Sequence, residues 1–313
     1  MDYSAMSGYN CILVIGATAS GKTQLSARIA HALNAEIISI DSRQVYKELT
    51  IGSGKDLNEY IVNETPVPYH LIDVVGINDN YHIHQYLQDY AQAFTNINAK
   101  GKPVVLCGGS AMYIYSMLSQ AQYTGIPINT ELRVELQSKS LTELQTTYAL
   151  HTPLSHAEIT HHKRIIRAIE IQQYLANNTY QPIALPKLNP LIIGLECSTV
   201  QCRAKIKKRL THRLQCGLID EVEKLLQYTA TPERLIHLGL EYKYITQYVQ
   251  KQLTYTQLET QLYNAICQYA KSQMTWLRKL EREGNNIHWL SANNTLAFNT
   301  KYSCKLWNNK LKL

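Results

Sequence analysis

The chain has 313 residues, 45% of them apolar and 18% charged, a balance that excludes a disordered or collagen-like protein. Seven scattered cysteines form no CxxC pair, so neither a disulfide framework nor a zinc ribbon is indicated, and reduced thiols fit. The net charge of +7 is uneven: residues 1–198 carry 13 Lys and Arg against 16 Asp and Glu, and residues 199–313 carry 18 against 8, so the C-terminal third either docks on a polyanion or exposes solvated helix faces.

In chain order, Cys11 to Ile15 is an apolar run that reads as a buried parallel strand, followed by helical spacing over Lys22 to Leu33 and a second strand over Glu36 to Ile40. A third strand is expected around His70 to Val75, a helix over Tyr86 to Ile97, a strand over Pro103 to Cys107 and a helix over Ser110 to Leu118. Strand signals then vanish, and helical patterns occupy 130–149 and 161–176 until Leu191 to Glu196 returns as a strand. The remainder reads as helical and basic, with a short strand over Ile287 to Leu290. The expected fold class is α/β: a phosphate-loop-containing parallel sheet flanked by helices, with an inserted all-helical domain and a helical C-terminal region. The expected divisions are 1–122 for the first part of the core, 123–188 for the insertion, and 189–313 for the return to the core and the basic helices. No stretch approaches the roughly eighteen apolar residues of a membrane span. The start Met1-Asp2-Tyr3-Ser4 lacks the regions of a secretory signal, so a cytoplasmic protein without membrane contact is expected.

Between the first strand and helix, Gly16-Ala17-Thr18-Ala19-Ser20-Gly21-Lys22-Thr23 fits GxxxxGK[ST]. Glycines let the loop amides turn inward on phosphate oxygens, the helix adds its positive end, Lys22 supplies a point charge, and the Thr23 hydroxyl suits Mg²⁺. ATP hydrolysis, phosphoryl transfer and transfer of a group off a diphosphate all remain open at this point.

The second strand ends in Asp41-Ser42-Arg43-Gln44-Val45-Tyr46, and here the sequence resembles the tRNA dimethylallyltransferase (tRNA isopentenyltransferase) family of bacterial type, whose motif is Asp-Ser-x-Gln-Val-Tyr. Ile51-Gly52-Ser53-Gly54-Lys55, Pro68-Tyr69-His70-Leu71-Ile72-Asp73, Gly108-Gly109-Ser110-Ala111-Met112-Tyr113, Lys163-Arg164-Ile165-Ile166-Arg167-Ala168-Ile169-Glu170, Gly217-Leu218-Ile219-Asp220-Glu221-Val222 and Tyr269-Ala270-Lys271-Ser272-Gln273-Met274-Thr275-Trp276 are similar to further family signatures, in family order from about 11 to 290.

The resemblance implies transfer of the dimethylallyl group of dimethylallyl diphosphate to N6 of adenosine 37 in the tRNA anticodon loop, with residues 16–23 holding the diphosphate and Mg²⁺ as cofactor. It implies diphosphate contacts for Lys22, Thr23 and Arg209, a proton acceptor in Asp41, and a hydroxyl, Ser110, between leaving group and base. Ser110 also fits an N-cap, and Asp41 also fits capping or Mg²⁺ positioning. Asp41, Ser42, Arg43, Gln44 and Ser110 are implied to meet the anticodon loop, and Arg133 with Lys163, Arg164, Ile165, Ile166 and Arg167 to meet tRNA phosphates. Partners are thus the tRNA anticodon stem-loop and dimethylallyl diphosphate, with a monomeric chain. Ala17, Ser272, Gly54 and Asp56 depart from the family's Pro, Arg, Ala and Pro. His151, His156, His161 and His162 lack the Cys or carboxylates of a metal set and read as polar helix faces. The alternatives are an adenylate isopentenyltransferase acting on free nucleotides, a phosphate-loop small-molecule kinase, and a non-catalytic RNA-binding module.

Overall fold

The computed structural model describes residues 8–154 and 158–309. It divides into two compact units, one built from the chain up to Ser119 and from Leu185 onward, the other from Gln120–Ala184.

The first unit opens with Cys11–Gly16 (β1), buried at every position as its unbroken apolar run requires. Lys22–Leu33 (α1) follows, and its N-cap Gly21 has φ 86°, a left-handed value open to glycine at no steric cost. Next come Glu36–Ile40 (β2), a ribbon of Ile61–Val62 (β3) and Thr65–Pro66 (β4), Tyr69–His70 (β5), Ile83–Ala99 (α2), Val104–Gly108 (β6) and Ala111–Leu118 (α3). The helical unit holds Thr130–Gln137 (α4), Leu141–Ala149 (α5) and His162–Asn177 (α6). The chain re-enters the first unit as Pro190–Glu196 (β7), Thr199–Gln215 (α7), Leu218–Tyr228 (α8), Pro232–Leu238 (α9), Leu240–Val249 (α10), Tyr255–Arg282 (α11), Ile287–Ser291 (β8) and Leu296–Asn309 (α12).

Among the described residues the main sheet has six strands in the order β5-β2-β6-β1-β7-β8. Every pairing in it is parallel. One core packs α1 and α12 against strand residues such as Ile12, Val14, Ile37, Val105 and Ile193. A second joins the C-terminal helices to the segment after β2 through Val45, Leu49, Leu210, Leu218, Leu235 and Leu262. The carboxyl ends of β1, β2 and β6 therefore share one edge, where ligands of open α/β sheets bind.

Two expectations are corrected. The strand expected over His70 to Val75 joins the sheet only at Tyr69 and His70, with a lone parallel bridge from Val75 to Tyr46, because Leu71 and Asp73 take positive φ of 62° and 59° and break the ladder between them. The pattern over 130–149 is two helices, since Ser140 caps α5 with a capping box to Glu143.

At the amino end of β2, Glu36 is 2% exposed and accepts from His70 Nε2 at 2.8 Å, Lys100 Nζ at 3.0 Å and Lys102 Nζ at 3.0 Å. Burial alone would raise its carboxyl, but these three partners outweigh it and hold the pKa at about 2 instead of 4.5. The depressed value contributes stability that is complete above pH 4.5 and lost as pH falls towards 2. Glu36→Gln is expected to cost about 2–3 kcal/mol at neutral pH, discounting for the exposed Lys100, and to flatten the acid limb of a denaturation curve measured by circular dichroism.

The helical unit closes on Leu132, Leu136, Leu144, Tyr148, Ile165 and Ile169. Glu170, 2% exposed, accepts from the backbone of Asn129 at 2.6 Å and from Arg133 at 2.9 and 3.0 Å, and it also pairs with Arg167. Burial works against its ionisation, yet the two guanidinium groups and the amide together lower its pKa.

Candidate active site

A cavity of about 680 Å³ opens at the carboxyl edge of the sheet, lined by Thr18 to Gln24, by Asp41 to Gln44, by Gly108 and Gly109, and by residues of α7, α10 and α11. Its cations are Lys22, Arg43, Lys205, Lys208 and Arg209, and its acids are Asp41, Asp56, Glu59 and Glu241. The loop residues 18–23 thus face one space, while Gly16 and Ala17 are buried and do not line it; a Cβ on Gly16 would come within 2.7 Å of Ser20 Oγ. Ser20 Oγ is buried without a hydrogen-bond partner among the described residues, an orphan that suits a ligand oxygen.

Lys22 Nζ donates to the Ala17 carbonyl at 3.3 Å. Burial lowers its pKa, the Arg209 charge adds to that, and Asp41 and Glu59 oppose it. Such an ammonium gains most from an anion. Arg209 makes no hydrogen bond or ion pair among the described residues, although burial and the neighbouring Arg213 press its pKa down to about 10. The Thr23 hydroxyl likewise has no hydrogen-bond partner among the described residues.

Asp41 begins the turn after β2. Its Oδ1 accepts from the backbone N–H of Arg43 at 2.8 Å and of Gln44 at 3.3 Å, which orders the turn and leaves Oδ2 without a hydrogen bond among the described residues. One oxygen is structural and the other is available for chemistry. Arg43 Nε donates to the Leu238 carbonyl at 2.7 Å, and Gln44 accepts from Ser39 and donates to the Gly54 carbonyl. Ser110 is the N-cap residue of α3, but its Oγ accepts from the Ser42 backbone at 3.2 Å instead of capping the helix. It therefore braces the Asp41 turn against β6.

Sequence reasoning missed Gln273. From α11 its Oε1 accepts the Thr18 N–H at 2.8 Å and its Nε2 donates to the Gly109 carbonyl at 2.9 Å, so one amide joins the two lips of the cavity. The residue lies inside the quoted stretch 269–276, but only the fold brings its amide to both loops. Tyr269, one turn earlier, lines the same cavity, and burial with the Asp41 charge raises its phenol to about 12. Ser272, in contrast, is exposed and donates only to the Gln268 carbonyl.

In the helical unit the expectations divide. Lys163 and Arg164 are exposed, the latter paired with Glu158. Ile165 and Ile166 are 0% and 5% exposed and pack in the core, so neither side chain offers a surface to phosphate; the periodicity of α6 turns them inward. Arg133 and Arg167 are half-buried, with both guanidinium groups turned onto Glu170, and Arg167 further donates to the carbonyls of Ile126 and Pro127. Of the histidines, His161 lies against Glu158 and His162 against the Lys139 carbonyl, while His156 falls outside the described residues.

The protein is thus of α/β class, with a parallel sheet whose carboxyl edge gathers a glycine-flanked loop, an arginine without a partner among the described residues and a carboxylate with one oxygen free of hydrogen bonds among them. The sequence matches the family described as IPP transferase over residues 44–280, and the chain belongs to that family. It is 43% identical over 288 residues to tRNA dimethylallyltransferase 2 of Bacteroides fragilis, covering 92% of this chain and 94% of the relative. It is 40% identical to tRNA dimethylallyltransferase 1 of Parabacteroides distasonis over 98% of this chain and all of the relative. Among solved structures it resembles the tRNA isopentenylpyrophosphate transferase of Bacillus halodurans, with TM-score 0.70 and 25% identity over 97% of this chain and 98% of the other. A eukaryotic dimethylallyltransferase acting on tRNA shares the fold, with TM-score 0.73 and 21% identity over 91% and 74% of the two chains.

Proposed function

We propose that the protein is a tRNA prenyltransferase that moves the dimethylallyl group from dimethylallyl diphosphate to N6 of adenosine 37. The carrying observation is the half-buried Arg209, without a partner among the described residues, in one cavity with Lys22 and the 18–23 loop. In the transfer the N6 nitrogen attacks the allylic carbon, the carbon–oxygen bond breaks, and diphosphate departs with the bonding electrons. Charge then grows on the leaving oxygens, where Lys22, Arg209 and the loop amides act most strongly. The N6 proton passes to Oδ2 of Asp41, which Oδ1, the Ser42 backbone and Ser110 hold in place.

The Thr23 hydroxyl, a hard oxygen without a partner among the described residues, suits Mg²⁺, which takes few protein ligands and completes its shell with water and substrate phosphates. When bound, Mg²⁺ supplies charge neutralisation for the diphosphate. Bringing adenosine 37 out of a single-stranded loop costs little stacking, and Ser42, Arg43, Gln44 and Tyr269 border the space it would enter. Among the described residues no helix is long and apolar enough to cross a membrane, and a tRNA substrate is consistent with a reaction in the cytoplasm.

The relatives named for tRNA argue against the free-nucleotide alternative. Mass spectrometry of an anticodon stem-loop incubated with enzyme, Mg²⁺ and dimethylallyl diphosphate tests the reading: a gain of one dimethylallyl group on the adenosine next to the anticodon is expected. Product on AMP but not on the stem-loop would overturn it.

The helical unit would grip tRNA phosphates through exposed Lys163 and Arg164. Reversing both charges should lower the slope of log affinity against log salt by about one per lost contact. Arg167→Glu should instead set a second carboxylate against the buried Glu170, cost about 3 kcal/mol and lower the melting temperature. A salt titration and a thermal melt on each variant separate the two effects.

A further inference from the structure

Two departures from the resembled family, Gly54 and Asp56, share a structural reason. A Cβ on Gly54 would lie 2.5 Å from Nη2 of Arg213 and 2.7 Å from Nη2 of Arg209, so two guanidinium tips converge over a residue without a side chain. Gly54 also has φ +72°, a region that side chains rarely adopt, and its carbonyl is fixed by Gln44 Nε2 at 3.1 Å.

The two arginines are one helical turn apart on α7 and differ in their partners. Arg213 is 6% exposed and lies between two carboxylates, with Nη2 3.4 Å from Asp56 Oδ2 and Nη1 4.0 Å from Glu241 Oε1. Arg209 lines the cavity and has no carboxylate partner among the described residues, although Asp56, Glu59 and Glu241 line the same space. A guanidinium within reach of free carboxylates pairs with them. The cavity avoids that outcome by supplying a second guanidinium that engages two of the acids. Burial and the Arg213 charge together lower the Arg209 pKa, as expected of a cation held without a counter-ion of its own.

We propose that Arg213 is a positioning residue for diphosphate: by engaging Asp56 and Glu241 it keeps both carboxylates off Arg209 and leaves that guanidinium free for the leaving group. The proposal rests on the reading of Arg209 as a diphosphate contact. Removing Arg213 releases Glu241 and Asp56 to capture Arg209, and the diphosphate then loses its partner.

The test is steady-state kinetics on the full chain with an anticodon stem-loop. Arg213→Met should raise KM for dimethylallyl diphosphate about tenfold or more, the weight of a lost charge-assisted contact, while stem-loop affinity holds. Arg213→Lys keeps the charge and should restore most of the loss. Arg213→Met combined with Glu241→Gln and Asp56→Asn removes the competing acids and should return KM towards the parent value, a rescue that a purely structural role does not give. Arg213→Gln replaces Met in this series where the apolar variant fails to fold. An unchanged KM in Arg213→Met, or no rescue in the triple variant, overturns the proposal. Arg209→Ala separates the two readings: a KM for dimethylallyl diphosphate that does not rise there sinks the diphosphate role of Arg209 itself.

Discussion

Asp41→Asn is expected to slow single-turnover prenyl transfer by about 10² to 10⁴, the usual weight of a general base. Both substrates should still bind, because the lost interaction belongs mainly to the transition state. The structure strengthens the choice of this substitution. Asparagine keeps an oxygen at Oδ1 to accept from Arg43 and Gln44, so the turn survives while the other position changes from acceptor to donor. Rapid-quench measurement of product on a stem-loop decides the matter. Near-normal chemistry would remove Asp41 as proton acceptor, and weaker diphosphate binding rescued by excess Mg²⁺ would assign it to metal positioning.

Lys22→Ala should reduce transfer by roughly 10² to 10³ or more, as expected when a preorganised cation is withdrawn from a developing anion. The Lys22 ammonium has only the Ala17 carbonyl as a hydrogen-bond partner among the described residues, so its removal breaks one protein contact and leaves the loop's other bonds in place. Stem-loop affinity in a filter-binding assay should remain near that of the parent. Equal loss of transfer and of stem-loop affinity would mean that the loop supports the fold or touches RNA.

The elements that were legible in the sequence are those fixed by local rules. The buried run of β1, the glycine-flanked loop and the start of α1 follow from hydropathy and backbone freedom, and they stand where the sequence puts them. The Asp41 turn was legible because its motif begins where β2 ends. What the sequence hid depends on meetings between distant residues. Gln273 reaches Thr18 across 255 positions, and nothing local marks its amide for two loops. Arg213 reads as one more cation in a basic run until Asp56 appears beside it. Basic residues of α6 looked alike, yet the helix period turns Arg167 towards Glu170 and leaves Lys163 in solvent. A charge count has no direction, and only burial gives it one.

The amide of Gln273 makes the glycine-flanked loop asymmetric. Because the Thr18 N–H already points at α11, the loop commits its upstream edge to the protein itself. The same side chain grips Gly109, one residue before the serine that braces the Asp41 turn. The two walls of the cavity are thereby pinned like the covers of a book to one spine, a helix of 28 residues. Any tilt of that spine would carry the loop wall and the Asp41 wall together, preserving the spacing between them.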